Sequence, residues 1–201
     1  MSDIFNDVAD FESRLNLPKD FYRDLLKEDD WSFIIKVSAL FEAATTHLLA
    51  IRFRAPEIET ELAFLEQANP RNGKIVLLEK MEALYKEQTS VLTKLANLRN
   101  QLAHKIENVN FNFDNYISDM DKNQISAFVK WAGHGVVETA NYKGACITRH
   151  DFVTSNPKFS IWLTAAEVLA CMNLDIQGVE TRIQTEAFGW LKSITSACTK
   201  D

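Results

Sequence analysis

The chain has 201 residues, of which 46% are hydrophobic and 25% charged, values that are ordinary for one globular domain. A formal charge of −6 at pH 7 excludes a broad basic surface, so we expect no binding along extended duplex DNA, although a small local site could still bind RNA. Six Gly and four Pro leave little room for a turn-rich all-β fold, and we predict a mostly helical protein.

In the first third of the chain, apolar residues at helical spacing predict one long helix with shorter helices before and after it in the sequence. Residues 3–27 predict two short helices. Asp29-Asp30 offers caps for a strong helix over residues 31–54, whose apolar positions cover much of its circumference and indicate burial. An acidic segment, residues 57–67, predicts another short helix before a loop at residues 69–73.

Apolar residues at helical spacing continue from Gly73 to about Ile106. They predict two helices, or one helix broken near residues 88–90. Thr89 or Ser90 can cap the second of the two.

An asparagine-rich segment with alternating aromatics follows, at residues 108–115. We predict a loop or short extended segment, and we expect Phe111, Phe113 and Tyr116 to pack on the core instead of stacking bases. A further helix is predicted over residues 121–131.

The last part of the chain predicts two closing helices. Lys143-Gly144 interrupts the pattern, and Asn156-Pro157 then marks a helix start. The closing helices cover residues 159–174 and 179–197, and Asp175-Ile176-Gln177-Gly178 separates them.

These elements predict an all-α, irregular bundle of about six to eight helices. Its core should combine the helices that begin near Trp31, Ile75, Thr89 and Phe159. We expect one domain over residues 1–201, with an N-terminal helical extension at 1–28, a central unit at 30–110, and a C-terminal loop and closing helices at 111–201.

The cysteines and the N-terminus favour a cytoplasmic protein. Cys146, Cys171 and Cys198 are odd in number, widely spaced and outside any Cys-x-x-Cys pattern, so we expect reduced thiols. No residue cluster suggests a metal or a cofactor. The first seven residues lack the basic and apolar segments of an export signal, and no run of about 18 apolar residues follows, so we expect no membrane segment.

One compact polar constellation, at residues 95–105, could carry chemistry. Arg99 offers a guanidinium fork that matches phosphate geometry, and His104 can exchange protons near neutral pH. With Asn100 to orient them, these groups suffice for metal-free cleavage of RNA, with a base for the 2′-hydroxyl and a cation for the charge that develops on the phosphate.

Helix geometry complicates such a site. Arg99 and His104 lie about 140° apart on an ideal helix, so the helix must end near Ala103 or two protomers must share the site. Arg99 also falls close to the apolar stripe, where Glu42 is the carboxylate that we expect as its partner. His47 and Asn97 are further candidates for groups around the site. Alternatively, Arg99 and Glu42 only fix helix packing, and His104 complements the helix dipole.

The segment Arg99-Asn100-Gln101-Leu102-Ala103-His104 resembles the R-polar-x-x-x-H signature of the HEPN superfamily. The resemblance implies a helical bundle, often dimeric, in which these three residues from two facing protomers form a metal-independent RNase site. It also implies a role as a toxin or in defence against phage, with an antitoxin as a possible protein partner.

A narrower resemblance covers roughly residues 30–110. A helix with Phe41-Glu42-Ala43-Ala44, an acidic connector, Gly73-Lys74 and the Arg99 segment follow one another as in the mannitol operon repressor (MtlR-like) family. This resemblance implies a regulatory protein that acts through protein contacts and is not an enzyme.

Overall fold

The structure, a computed structural model, describes residues 3–142 and 145–198. They form an all-α bundle with one small hairpin, so the predicted fold class is confirmed. The α-helices are α1 (Ile4–Arg14), α2 (Phe21–Asp24), α3 (Asp30–Arg52), α4 (Glu59–Ala63), α5 (Lys74–Lys80), α6 (Lys86–Ala103), α7 (Phe113–Ser118), α8 (Lys122–Ala132), α9 (Arg149–Ser155) and α10 (Pro157–Cys198). Short 3₁₀ turns cover Leu25–Lys27, Pro56–Ile58 and Ile106–Asn110. Within the described ranges, these ten helices exceed the predicted number because several are only one or two turns long.

Helix α3 lies at the centre of the bundle, as its broad apolar surface predicted. It packs against α4, α5, α6 and α10, and α1 lies along α10. Its side chains Phe33, Ile34 and Leu48 are fully buried. The buried residues of α1, α3, α5, α6 and α10 belong to one apolar cluster, which fixes how these helices are arranged.

The break between α5 and α6 lies earlier than the sequence predicted. Helix α5 ends at Lys80 and α6 begins at Lys86, so the predicted break at residues 88–90 is wrong. Tyr85, and not the predicted Thr89 or Ser90, is the N-terminal cap of α6, and the Gln88 Oε1 accepts a 3.0 Å hydrogen bond from the Tyr85 amide, as in a capping box. Thr89 is buried, and its hydroxyl donates to Glu79.

The aromatic segment after α6 is mostly helical, so the predicted loop or short extended segment is wrong. A 3₁₀ turn is followed by α7, which Asn112 caps by accepting from the Asp114 amide at 2.8 Å. The aromatic rings pack as expected. Phe113 is 2% exposed, and its ring meets those of Phe33 and Phe111 edge to face. Burial therefore accounts for these aromatics without a nucleic-acid ligand.

Residues 139–155 contain a β-hairpin and a short helix that were not predicted from the sequence. Strands β1 (Thr139–Tyr142) and β2 (Ala145–Thr148) pair antiparallel, with Thr139 opposite Thr148. The predicted interruption at Lys143-Gly144 lies outside the described residues. Helix α9 follows directly, and the Thr148 hydroxyl caps it by accepting from the Asp151 amide.

Helix α10 runs through the predicted break at residues 175–178, so the prediction of two closing helices is wrong. Its start at Pro157 is confirmed. The Arg52 guanidinium lies 2.7 Å from the Asp175 carboxylate, and Ile176 is fully buried. Contacts with α1 and α3 therefore hold the helix continuous where a glycine and two polar residues suggested a loop.

Two helices, α3 and α10, are long and apolar enough to cross a membrane by length and composition. However, 61% of the most apolar window of α3 and 67% of that of α10 are buried inside the bundle. Central helices of a soluble core have the same properties, and the cytoplasmic location stays a prediction.

Candidate functional site

The end of α6 is held firmly against α3. Leu95, Leu98 and Leu102 are buried on one side of the helix. The Trp31 indole donates to the Leu102 carbonyl at 3.4 Å, and the Asn108 amide donates to the Gln101 carbonyl at 2.8 Å. These contacts satisfy carbonyls that the last turn of a helix leaves without partners, so the polar side of α6 is presented from a fixed frame.

Arg99 and Asn100 form one hydrogen-bonded unit on that polar side. The Arg99 Nη1 donates to the Asn100 Oδ1 at 3.0 Å. The Arg99 Nη2 lies 3.8 Å from the Glu42 Oε1, so the ion pair predicted from the sequence is present, at a distance longer than a hydrogen bond. Both side chains are about two-fifths exposed, which makes the pair a weak contributor to stability.

His104 lies outside the surroundings of Arg99 in a single chain. It follows the last residue of α6 as its C-terminal cap, and it is exposed. In residues 3–142 and 145–198, no hydrogen bond or ion pair to its imidazole is present. This position agrees with the expectation that the side chains of Arg99 and His104 point in widely different directions from one helix.

A groove beside Arg99 contains four of the six predicted site residues. The Arg99 groove, as we call it, is lined by Glu42, residues 65–70, Lys74, and Asn97, Arg99 and Asn100, with a volume of about 500 Å³. It lies between α3, the loop after α4 and α6. Its walls carry amide and charged groups, which suit a polar ligand.

His47, the fifth candidate, lines a neighbouring hollow of about 750 Å³. Its Nδ1 lies 3.2 Å from the Glu59 carboxylate oxygens. Glu42 and Lys74 line this hollow as well as the Arg99 groove, so the two depressions meet along these side chains. His47 thus lies near the Arg99 groove, but its imidazole contacts Glu59 and is not part of the groove lining.

Lys74 is the residue that sequence reasoning missed. The glycine spacing around Gly73-Lys74 does not fit a phosphate loop, so the sequence gives no phosphate-binding motif at this lysine. Lys74 is 3% exposed, and burial lowers the pKa of its ammonium while the nearby Glu42 carboxylate partly opposes that shift. One signal was available, because Lys74 lies one helical turn before the buried Leu78.

Other reactive groups in the described ranges do not form a catalytic set. His134 lies 3.3 Å from Glu167, and the Cys171 thiol donates to the same carboxylate at 3.4 Å. Burial, reinforced by Glu167, raises the pKa of Cys171 to about 11, so this thiol is a poor nucleophile. No group of three or more metal-ligating side chains occurs in the residues that the structure describes.

In the residues that the structure describes, the Arg99 groove thus offers cations and amides for an anion, but the imidazole of His104 is not part of its lining. Arg99, Lys74 and the asparagines can bind phosphate oxygens. A proton-transferring imidazole would have to come from elsewhere, for example from a second copy of the chain. Comparisons with models of known protein families, with characterised proteins and with solved structures found no match to this chain.

Proposed function

We propose that the protein is a homodimeric, metal-independent endoribonuclease of the HEPN type, acting as a toxin or in defence. In this proposal Arg99 of one protomer, oriented by Asn100, binds the scissile phosphate, and His104 of the other protomer transfers the proton. The observation that carries the proposal is the Arg99–Asn100 unit, whose guanidinium is fixed by one hydrogen bond and remains open to the groove.

The proposed chemistry needs no metal. His104 takes the proton of a ribose 2′-hydroxyl, and the 2′-oxygen attacks phosphorus and expels the 5′-oxygen of the next nucleotide. The leaving 5′-oxygen takes up a proton from solvent, a 2′,3′-cyclic phosphate remains, and His104 then releases to solvent the proton that it took. Arg99 stabilises the negative charge that develops on the phosphate oxygens, and Asn100 holds Arg99 in place.

The first test is cleavage of RNA by the purified protein in EDTA. We expect cleavage by the wild type and a loss of about 100-fold or more in Arg99→Ala and His104→Ala. His150→Ala is the matched control, because His150 is another exposed histidine and its loss should leave the rate unchanged. Absence of cleavage by the wild type, with no growth toxicity on expression, would contradict the proposal.

The second test asks whether two protomers share the site. Arg99→Ala and His104→Ala chains are coexpressed, so that half of the dimers contain one copy of each. In such a dimer one of the two shared sites keeps both Arg99 and His104, and we expect about a quarter of the wild-type rate. A site within one chain would give no recovery, and a strictly monomeric protein on size exclusion would also contradict the proposal.

A second candidate is a non-enzymatic regulator of the mannitol operon repressor type. The outer part of α10 favours it, because apolar side chains there, including Ile183 and Phe188, are exposed and could bind a protein partner. Under this alternative, Arg99 and Glu42 only link α6 to α3. A neighbouring gene for a nucleotidyltransferase-like antitoxin would favour the RNase, and a sugar-uptake operon would favour the regulator.

A further inference from the structure

Lys74 is a buried cation whose charge is only partly balanced. It is 3% exposed, yet no hydrogen bond or ion pair to its ammonium occurs among the residues that the structure describes. The charge that acts on it is that of Glu42, which is near enough to affect its pKa but forms no ion pair with it. Burying an ammonium in this way is costly unless another group binds it.

The Glu42 carboxylate interacts electrostatically with two cations, Arg99 and Lys74. The carboxylate lies 3.8 Å from the Arg99 guanidinium on α6 and also acts electrostatically on Lys74 at the start of α5. One carboxylate therefore faces two positive groups across the Arg99 groove. An additional anion between these groups would be attracted to both cations.

The other acidic groups at this surface are occupied. Glu66 also lines the Arg99 groove, but its Oε2 accepts a 2.9 Å hydrogen bond from the Asn69 amide, and the side chain is exposed. Glu59 lies in the neighbouring hollow beside His47. Neither forms an ion pair with Lys74 in the described residues, so neither balances the charge of its ammonium, and Lys74 is in the lining of both the Arg99 groove and the neighbouring hollow.

We propose that the Arg99 groove is a phosphate-binding site, with the Lys74 ammonium at its floor and the Arg99 guanidinium at its rim. Asn97 and Asn100 supply further amide donors along α6. A phosphate group suits this set better than a carboxylate, because Glu42 already supplies one carboxylate. A phosphate carries more charge and enough oxygens to contact both cations.

The phosphate has two possible sources, the backbone of RNA and a free phosphate-bearing ligand. The groove volume of about 500 Å³ exceeds that of a single phosphate, so it leaves room for the rest of either molecule. The proposal that the phosphate belongs to an RNA backbone rests on the proposed RNase function, whereas the proposal that the groove binds phosphate does not. A protein without RNase activity could still bind phosphate at Lys74.

Titration with inorganic phosphate at constant ionic strength, followed calorimetrically and by phosphorus NMR, tests the site. We expect saturable binding with a Kd of about 1 mM. Lys74→Met should weaken binding about tenfold or more, because it keeps the apolar stem and removes the charge. Lys80→Met is the control, since Lys80 lies exposed at the other end of the same helix and should bind as the wild type does.

Glu42→Gln is the second variant, and its expected effect has the opposite sign. Removing the competing carboxylate should tighten phosphate binding several-fold, which a purely structural role for Glu42 would not produce. This variant also decides the matter if Lys74→Met fails to fold. No saturable binding by the wild type, an unchanged Kd in a folded Lys74→Met, or no tightening in Glu42→Gln would overturn the proposal.

A competition arm distinguishes the two sources. A 2′-O-methyl oligonucleotide cannot be cleaved through its 2′-oxygen, so it reports binding alone. Displacement of phosphate by this oligonucleotide would assign the site to the RNA backbone. Phosphate binding without displacement would assign it to a free phosphate-bearing ligand and would separate this site from the RNase proposal.

Discussion

The two halves of α10 belong to one helix and carry one continuous apolar stripe, yet only the stripe of the inner half is buried against other helices. In the inner half, residues 157–180, Ile176 is fully buried and Val179 is 4% exposed. In the outer half, every described side chain from 181 to 192 is exposed, and Ile183, one heptad after Ile176, is 38% exposed. The spacing of apolar residues is the same in both halves, so the neighbours alone make the difference.

This comparison shows why the predicted break in α10 was wrong. The inner half is stabilised by packing on α1 and α3 and by ion pairs such as Arg14–Glu180, whose closest atoms are 2.8 Å apart. Such contacts override a weak local preference for a loop. The described side chains of the outer half, residues 181–192, are exposed, and its ion pair Arg54–Glu186 lies at the surface, so the core contributes little to its stability.

The largest expected difference between the halves concerns Ile176 and Ile183. Ile176→Ala should lower the free energy of unfolding by about 3–4 kcal/mol, because it leaves a cavity in the core. Ile183→Ala, the matched control, should cost less than about 1 kcal/mol. Urea denaturation measures both. Equal losses would show that the outer half is covered in solution.

The next effect concerns the ion pair between α3 and the inner half. Both side chains are less than one-fifth exposed, and Asp175→Ala would leave the Arg52 guanidinium buried without its carboxylate. Burial raises the pKa of Asp175 even beside Arg52. We expect a loss of about 3 kcal/mol, because removing one partner leaves the other charge buried. Glu186→Ala removes the exposed partner of Arg54 in the outer half. Its effect should be much smaller and should vanish in high salt.

The third prediction compares the reactivity of a partly buried thiol on the inner half of α10 with that of an exposed thiol on β2. Cys171 is on the inner half, and its pKa of about 11 is two units above the ordinary thiol value of 9.0. We therefore expect iodoacetamide to label it about 100-fold more slowly at pH 8 than the exposed Cys146. The rate at Cys171 should rise as the pH approaches 11, because only the thiolate reacts. Peptide mass spectrometry resolves the two sites, and equal rates would show that the inner half opens readily.

The smallest expected effect concerns the two glycines of α10. A Cβ atom at Gly178 or Gly189 would meet nothing within 4 Å. Gly178→Ala should raise the free energy of unfolding by about 0.5–1 kcal/mol, because alanine favours the helix. Gly189→Ala should raise helicity by circular dichroism but have less effect on global unfolding. A destabilised Gly178→Ala would mean that the helix is broken where the sequence predicted.

Much of the fold was predictable where a strong local signal existed. A cap for α3 was predicted at Asp29-Asp30, and Asp29 is the cap, with its carboxylate accepting from the Ser32 amide at 2.8 Å. The burial of the aromatics near Phe113 was also predicted from residue type alone. The hairpin and α9 were missed because their segments are short and lack clear apolar periodicity.

The candidate site was predictable in part. Arg99, Asn100 and their partner Glu42 were identified from residue type and helical position, and the structure brings them together. The position of Lys74 was not predicted, because its burial depends on how the loop after α4 folds against α3 and α6. The roles of these residues and of His104 remain proposals that the RNA and phosphate experiments test.

The sequence by itself determined the helical class, the central place of α3 and the polar face of α6, because apolar periodicity and capping residues are local properties of the chain. Only the tertiary structure decided that α10 is continuous, that Lys74 is a buried cation and that His104 lies apart from the Arg99 groove. These features depend on contacts between residues far apart in the sequence, and no local pattern specifies which distant side chains will meet.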